Sequence, residues 1–205
     1  MAAKISTLAV ALLTLLFSAF IGGCVTTTAP QAKVSAVQTF SPKVYDRLAV
    51  IVFDETKQVR QKGTLRQVED VFMQAALEKG YTLAARSDVD KLIQELRFQN
   101  SAISENHAAK IGRLLNVRAV ILVSINDISA KEYKPLVYVK GKRYYMATAN
   151  ISARFVEVSR GEVVWLSSHT GRSSVDGTNR NEMTRVLPLV ARVVARELPT
   201  RLPVQ

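Results

Sequence analysis

Several residue types are scarce in this chain of 205 residues. It holds one cysteine, one tryptophan and two histidines, with only six prolines and nine glycines. A lone cysteine excludes an internal disulfide, and two histidines without further cysteines leave no zinc-ligand spacing. Low proline and glycine exclude collagen-like or low-complexity architecture. Phosphate-cradling glycine loops and a Gly-x-Ser-x-Gly elbow are both missing, which argues against the common nucleotide-binding and hydrolase sites. The expectation is therefore a non-enzyme. Asp54–Glu55, Asp88 and Asp90 read as loop-start and helix-cap carboxylates, and His107 and His169 as surface imidazoles.

What is present is apolar content of 48%, enough for one core, and a formal net charge of +11. Basic chains usually meet nucleic acid or an anionic surface. The first 24 residues favour the surface. Lys4 gives a positive start, Ile5 to Ile21 is a 17-residue apolar run, and Gly22-Gly23 leads into Cys24. This order of charge, apolar run and small residues is that of an export signal. A membrane span needs ~17–25 residues, so the run is at the bottom of that range.

Ile21-Gly22-Gly23-Cys24 resembles a bacterial lipobox. The resemblance implies cleavage between Gly23 and Cys24, with a diacylglycerol and an N-acyl (palmitate-type) chain on Cys24. A single acyl chain holds a protein only reversibly, so several are needed for stable attachment. Val25, where an Asp would imply inner-membrane retention, implies the periplasmic face of the outer membrane. The mature chain would keep 27 basic against 17 acidic side chains, a net +10. Export makes nucleic acid an unsuitable partner. Phospholipid headgroups, peptidoglycan carboxylates or an acidic protein fit better, the protein partner being another envelope protein or, as a separate expectation, a second copy, with no resident cofactor and no small-molecule substrate.

The organisation follows as 1–23 signal peptide, 24–43 lipidated N-terminus and mobile tether, and 44–205 folded domain. Arg47–Phe53 and Arg118–Ile125 are nearly continuous apolar runs, as in strands covered on both faces. Leu65 to Leu77 is periodic at helical spacing, with Gly80 as C-cap. Ser87 should cap a second helix and Ser104 a third. Pro135–Lys140, Arg143–Val158 and Glu162–Thr170 read as antiparallel strands, with Trp165 in the core. A last helix is expected from about Asn181 to Leu198, with Pro188 kinking it or marking its first turn. The predicted fold is α/β, a mixed sheet of five or six strands with helices packed on it.

Several segments resemble the CsgG family of curli-assembly and secretion lipoproteins. They are Leu48–Glu55, Gly80–Tyr81, Arg86–Leu96, Ile111–Ile121, Ile151–Val158 and Gly161–Trp165. A more distant resemblance, in the α/β plan and the Gly161–Trp165 hairpin, is to LpoB-like activators of a peptidoglycan synthase. The first family implies a secretion channel built from two membrane hairpins per subunit. Here the stretch from 127 to 151 carries Lys131, Lys134, Lys140, Lys142 and Arg143. The stretch from 167 to 182 has one large apolar residue, Val175. Neither offers the lipid-facing alternation of a membrane strand, so the expectation is an interaction module in envelope biogenesis rather than a pore.

The densest local signal is Lys131–Tyr145, with five basic and four tyrosine side chains in fifteen residues. Tyrosine and arginine are favoured at interface hot spots, whereas lysines also blunt exposed sheet edges. The candidate docking residues are Lys134, Tyr138, Lys140, Lys142, Arg143, Tyr144 and Tyr145.

Overall fold

The computed structural model describes residues 30–59, 61–96, 103–134, 140, 144–176 and 184–201. The chain divides into two compact units, Met1–Pro30 and Gln31–Gln205. The second contains every element described below.

Its strands are β1 (Lys33–Ala36), β2 (Arg47–Asp54), β3 (Thr82–Leu83), β4 (Ala119–Tyr133), β5 (Tyr144–Glu157) and β6 (Glu162–Asp176). Its helices are α1 (Lys62–Glu78), α2 (Arg86–Glu95), α3 (Glu105–Leu114) and α4 (Val186–Arg196). They form one mixed sheet in the order β1-β6-β5-β4-β2-β3. β2 runs parallel to β3 and β4, whereas β4, β5, β6 and β1 pair antiparallel in succession. The expected α/β sheet is observed.

The apolar runs of β2 and β4 are central because both faces are buried. Leu48, Val50, Ile121 and Val123 join the core under α1 and α4, while Ala49, Ile51, Val120 and Leu122 join the core under α2 and α3. Phe155 anchors the first core. Its ring centroid lies 5.1 Å from Tyr45, 5.4 Å from Phe40 and 6.1 Å from Tyr81. Trp165 is buried, as its strand position predicts.

Helix α1 ends at a left-handed Gly80 (φ 86°), where Gly80 N–H donates to Leu77 O and Tyr81 N–H to Ala76 O. These paired bonds satisfy the last carbonyls as the periodicity suggests. Ser104 caps α3 as expected, and its partner is His107. The Ser104 hydroxyl accepts from His107 N–H, and His107 Nδ1 accepts from Ser104 N–H. Pro188 takes the first-turn role, two residues into α4.

Several boundaries differ from the sequence reading, among them the last helix, which begins at Val186 and not near Asn181. Helix α2 begins at Arg86 after Ala85, with no side-chain cap, so Ser87 lies inside the helix. Arg86 instead ties this end to α1, its Nε 2.9 Å from Glu69 Oε1 and its guanidinium also paired with Asp70. Lys33–Ala36 belongs to the sheet rather than to a mobile tether, pairing with Trp165–Ser168 at the edge. A four-residue edge strand exposed throughout has no apolar alternation to reveal it. β4 continues past Ile125 through a bulge, where coverage drops from two faces to one and the apolar run gives way to polar residues. β6 likewise runs past Thr170 to Asp176, through a segment whose one large apolar residue is Val175.

Candidate functional site

Beyond the bulge, β4 and β5 continue as a ribbon of seven residue pairs, from Asp127↔Asn150 to Tyr133↔Tyr144, with β6 alongside β5 as far as Tyr144↔Asp176. Ile128, Ala147 and Ala149 turn one face of it into the core, and Tyr145 packs against that core. Lys131, Glu132 and Lys134 are exposed on β4 and just beyond it. Tyr133 and Tyr144 face each other edge to face at 6.4 Å. Lys140 is exposed in a turn. The candidate docking residues thus divide. Lys134 and Lys140 are exposed, Tyr144 is half-buried in the tyrosine pair, and Tyr145 is committed to the core side. Tyr138, Lys142 and Arg143 lie outside the described residues, as do Gly23 and Cys24.

On the other face, polar side chains cross three strands. Asn126 Nδ2 donates to Asn150 Oδ1 at 2.7 Å and to Ser152 Oγ at 3.0 Å, and Asn150 Nδ2 donates to Thr170 Oγ1 at 2.8 Å. At the inner end of this row stands Arg154. One guanidinium nitrogen pairs with Glu105 at 2.5 Å, and the other donates to Ser124 Oγ at 2.6 Å with Glu55 4.0 Å away. Arg154 therefore fastens β5 to β4, to the end of β2 and to the first turn of α3. A charge half-covered at a sheet surface is held by carboxylates on two sides, and its exposure limits the stability it adds.

The sequence reading did not single out Arg154. The signal was there. It is the one charged position in the run Ile151–Val156, facing the layer where Val120 and Leu122 are buried. Asp54, by contrast, serves its own loop, accepting from Thr56 N–H at 2.9 Å, Thr56 Oγ1 at 2.5 Å and Val59 N–H at 2.7 Å. Asp88 and Asp90 are exposed on α2. His169 is half-buried on β6. Among the described residues, no three His, Cys, Asp or Glu side chains cluster as a metal site would require, and no helix is long and apolar enough to cross a membrane.

No family model and no curated protein matches the sequence. The chain is similar to solved bacterial structures. One is the PelC dodecamer from Paraburkholderia phytofirmans, at 14% identity and TM-score 0.46, covering 84% of this chain and 99% of that one. Lipoprotein GNA1162 from Neisseria meningitidis follows at 15% and 0.48, covering 74% and 99%. LpoB from E. coli stands at 17% and 0.42, covering 65% of this chain and 59% of that one. These likenesses go no further than the general α/β plan, and no activity follows from them. Membership of the CsgG family is not shown by any of the three.

Two open grooves flank the helices. One, of 520 Å³, lies at the N-terminal ends of β2 and β4, lined by Tyr45, Arg113, Arg118 and Glu157 among others. Its arginines are engaged. Arg113 donates to Val158 O at 3.2 Å and Arg118 to Val44 O at 3.0 Å. Glu157 is held below the ordinary carboxylate range by its hydrogen bond from Arg160, while burial pushes the Tyr45 hydroxyl up. The other groove, of 340 Å³, runs between α1 and α4. Val71, Ala75 and Ala195 line it together with Gln74, Glu78, Lys79, Arg192 and Arg196.

Proposed function

We propose that this protein is a lipid-anchored module of the bacterial envelope that docks a protein partner through the outer end of its β4–β5 ribbon, and that it does not itself form a pore. The observation that carries this reading is the ribbon. It extends seven residue pairs beyond the bulge and carries exposed Lys131 and Lys134 beside the Tyr133–Tyr144 pair, with Lys140 exposed in the turn between the strands. Lysines around an aromatic centre steer an acidic partner and leave the rings to fill its pocket. The lipobox-like Gly23–Cys24 supports the anchored setting, at the periplasmic face of the outer membrane. The absence of a large apolar side chain from Thr170 to Ser174 on the neighbouring strand supports docking over insertion in lipid. A synthase activator is one form of this reading, supported by the LpoB-like Gly161–Trp165 segment. A curli-type assembly partner is another, supported by the CsgG-like segments.

The test is a triple charge reversal, Lys140→Glu with Lys142→Glu and Arg143→Glu, in the full chain expressed in its own envelope. Crosslinked complexes should be lost, and the salt dependence of capture, screened over about 10 Å at 0.1 M, should flatten. Unchanged capture at low salt by a variant that melts normally would overturn the proposal.

A further inference from the structure

Helix α4 buries Val186, Leu187, Val190, Val193 and Val194 and turns the opposite side outward. That outer side is a single stripe of Arg185, Leu189, Arg192 and Arg196, spaced four, three and four residues apart as one helical face requires. All four are exposed, Leu189 to 49%. Arg192 and Arg196 have no carboxylate within ion-pair distance among the described residues. Lys79 continues the basic surface across the groove, with Glu78 beside it and half-buried Glu197 at the helix end as the opposing charges. Three arginines around one exposed leucine make a poor solvated face and a good complement to an anionic sheet of headgroups.

The path of the chain says which sheet. β1 lies beside β6, and α4 packs on β6, Val190 sitting over Gly171. Ala32, just before β1, packs against the same core as α4. The chain therefore leaves the domain on the edge next to the arginine stripe. Cys24 is seven positions before Gln31, a reach of at most about 25 Å. This step rests on the lipid-anchor reading of Cys24. With so short a connection, the domain cannot stand far from the leaflet that holds its acyl chains, and the side next to the exit is the side that meets it.

We infer that the Arg185–Leu189–Arg192–Arg196 face of α4 lies on the anionic leaflet in which the protein is anchored. Leu189 sits among the headgroups and the arginines contact lipid phosphates. In this orientation α2 and α3 face away from the bilayer and the ribbon runs alongside it, within reach of a neighbouring envelope protein.

The experiment uses the mature acylated chain with Leu189→Cys, reconstituted on phosphatidylcholine vesicles with and without phosphatidylglycerol. A water-soluble maleimide reports access to the new thiol, read by mass spectrometry at that residue. Asn106→Cys, exposed on α3, is the control. Labelling at 189 should slow several-fold on the anionic vesicles, recover in high salt, and recover again when Arg192→Glu and Arg196→Glu are added. Labelling at 106 should not change. Equal labelling at 189 on both vesicle types would overturn the inference, and so would protection that appears only when other envelope proteins are added. The anchor is read separately, from retention on neutral vesicles in high salt. Retention with equal labelling keeps the anchor and overturns the docking face. Protection on anionic vesicles without retention on neutral ones keeps the docking face and overturns the anchor.

Discussion

Val190 of α4 occupies the space above Gly171 of β6 that a Cβ on that glycine would need, its Cγ2 closer than any real carbon pair allows. The helix reaches the sheet because the strand has no side chain there. Gly171→Ala should destabilise the domain by about 1–3 kcal/mol through overpacking. Val190→Ala, costly alone, should recover part of that loss when the two are combined. Urea unfolding of the four proteins in this cycle measures the coupling, and purely additive losses would show that the close approach is not what matters.

Phe155 is fully buried between Phe40, Tyr45 and Tyr81. Phe155→Ala should cost about 3–5 kcal/mol, the range for removing a large ring from a packed core. Phe155→Leu, which keeps most of the volume, should cost clearly less. Thermal melts of both variants give the comparison.

The reciprocal bonds between Ser104 and His107 close the start of α3. Ser104→Ala should lower stability by about 1 kcal/mol, and Ser104→Asp should restore most of it, since aspartate also caps well. A Ser104→Ala protein with an unchanged denaturation midpoint would contradict this role.

Glu157 accepts from Arg160 Nη2 at 2.6 Å and Nε at 3.0 Å, and from the Ser159 hydroxyl at 2.9 Å. Its folded pKa is therefore lowered, chiefly by the Arg160 bonds. A carboxylate with a depressed folded pKa adds stability above its unfolded pKa, and that stability is lost as pH falls through the folded value. Arg160→Ala should bring the folded value back toward the ordinary range. The variant should be the less stable protein at neutral pH, and the gap should close in acid. A gap that persists unchanged at pH 3 would assign the Arg160 effect to packing instead of charge.

Cys24→Ser should abolish incorporation of a tagged fatty acid and leave an uncleaved or mislocalised precursor. Unchanged label in that variant would remove the lipid anchor, and with it the membrane setting of the proposed function.

Sequence signals were strong wherever burial was two-sided or a cap had a specific residue type. The runs at Leu48–Ile51 and Val120–Val123 announced the central strands, and Gly80 and Ser104 announced helix ends. The signal failed where the same conformations are made by polar or small residues. Lys33–Ala36 is an edge strand because β6 offers it a partner, and no property of those four residues says so. The outer half of β6 is a strand because Gly171 and its small neighbours let α4 approach, yet their composition reads as a loop. Arg154 was hidden for a related reason. Its carboxylate partners come from residues 49 and 99 positions away, and only the folded sheet brings them together.

β1 also sets what would happen if the N-terminal end of the domain were pulled. Its four residues are held by β6 on one side only, so load arriving at Gln31 falls on a four-residue edge pairing. Peeling would run from Lys33 to the ring of Phe40, which is stacked on Tyr45 at 5.9 Å and wedged against Phe155. Released up to that point, residues 31–39 add about 30 Å of slack at ~3.3 Å per residue. The edge strand is thus a mechanical fuse. It would lengthen the chain ahead of the domain while the two cores stay closed, with the aromatic stop at Phe40 setting how far it can pay out.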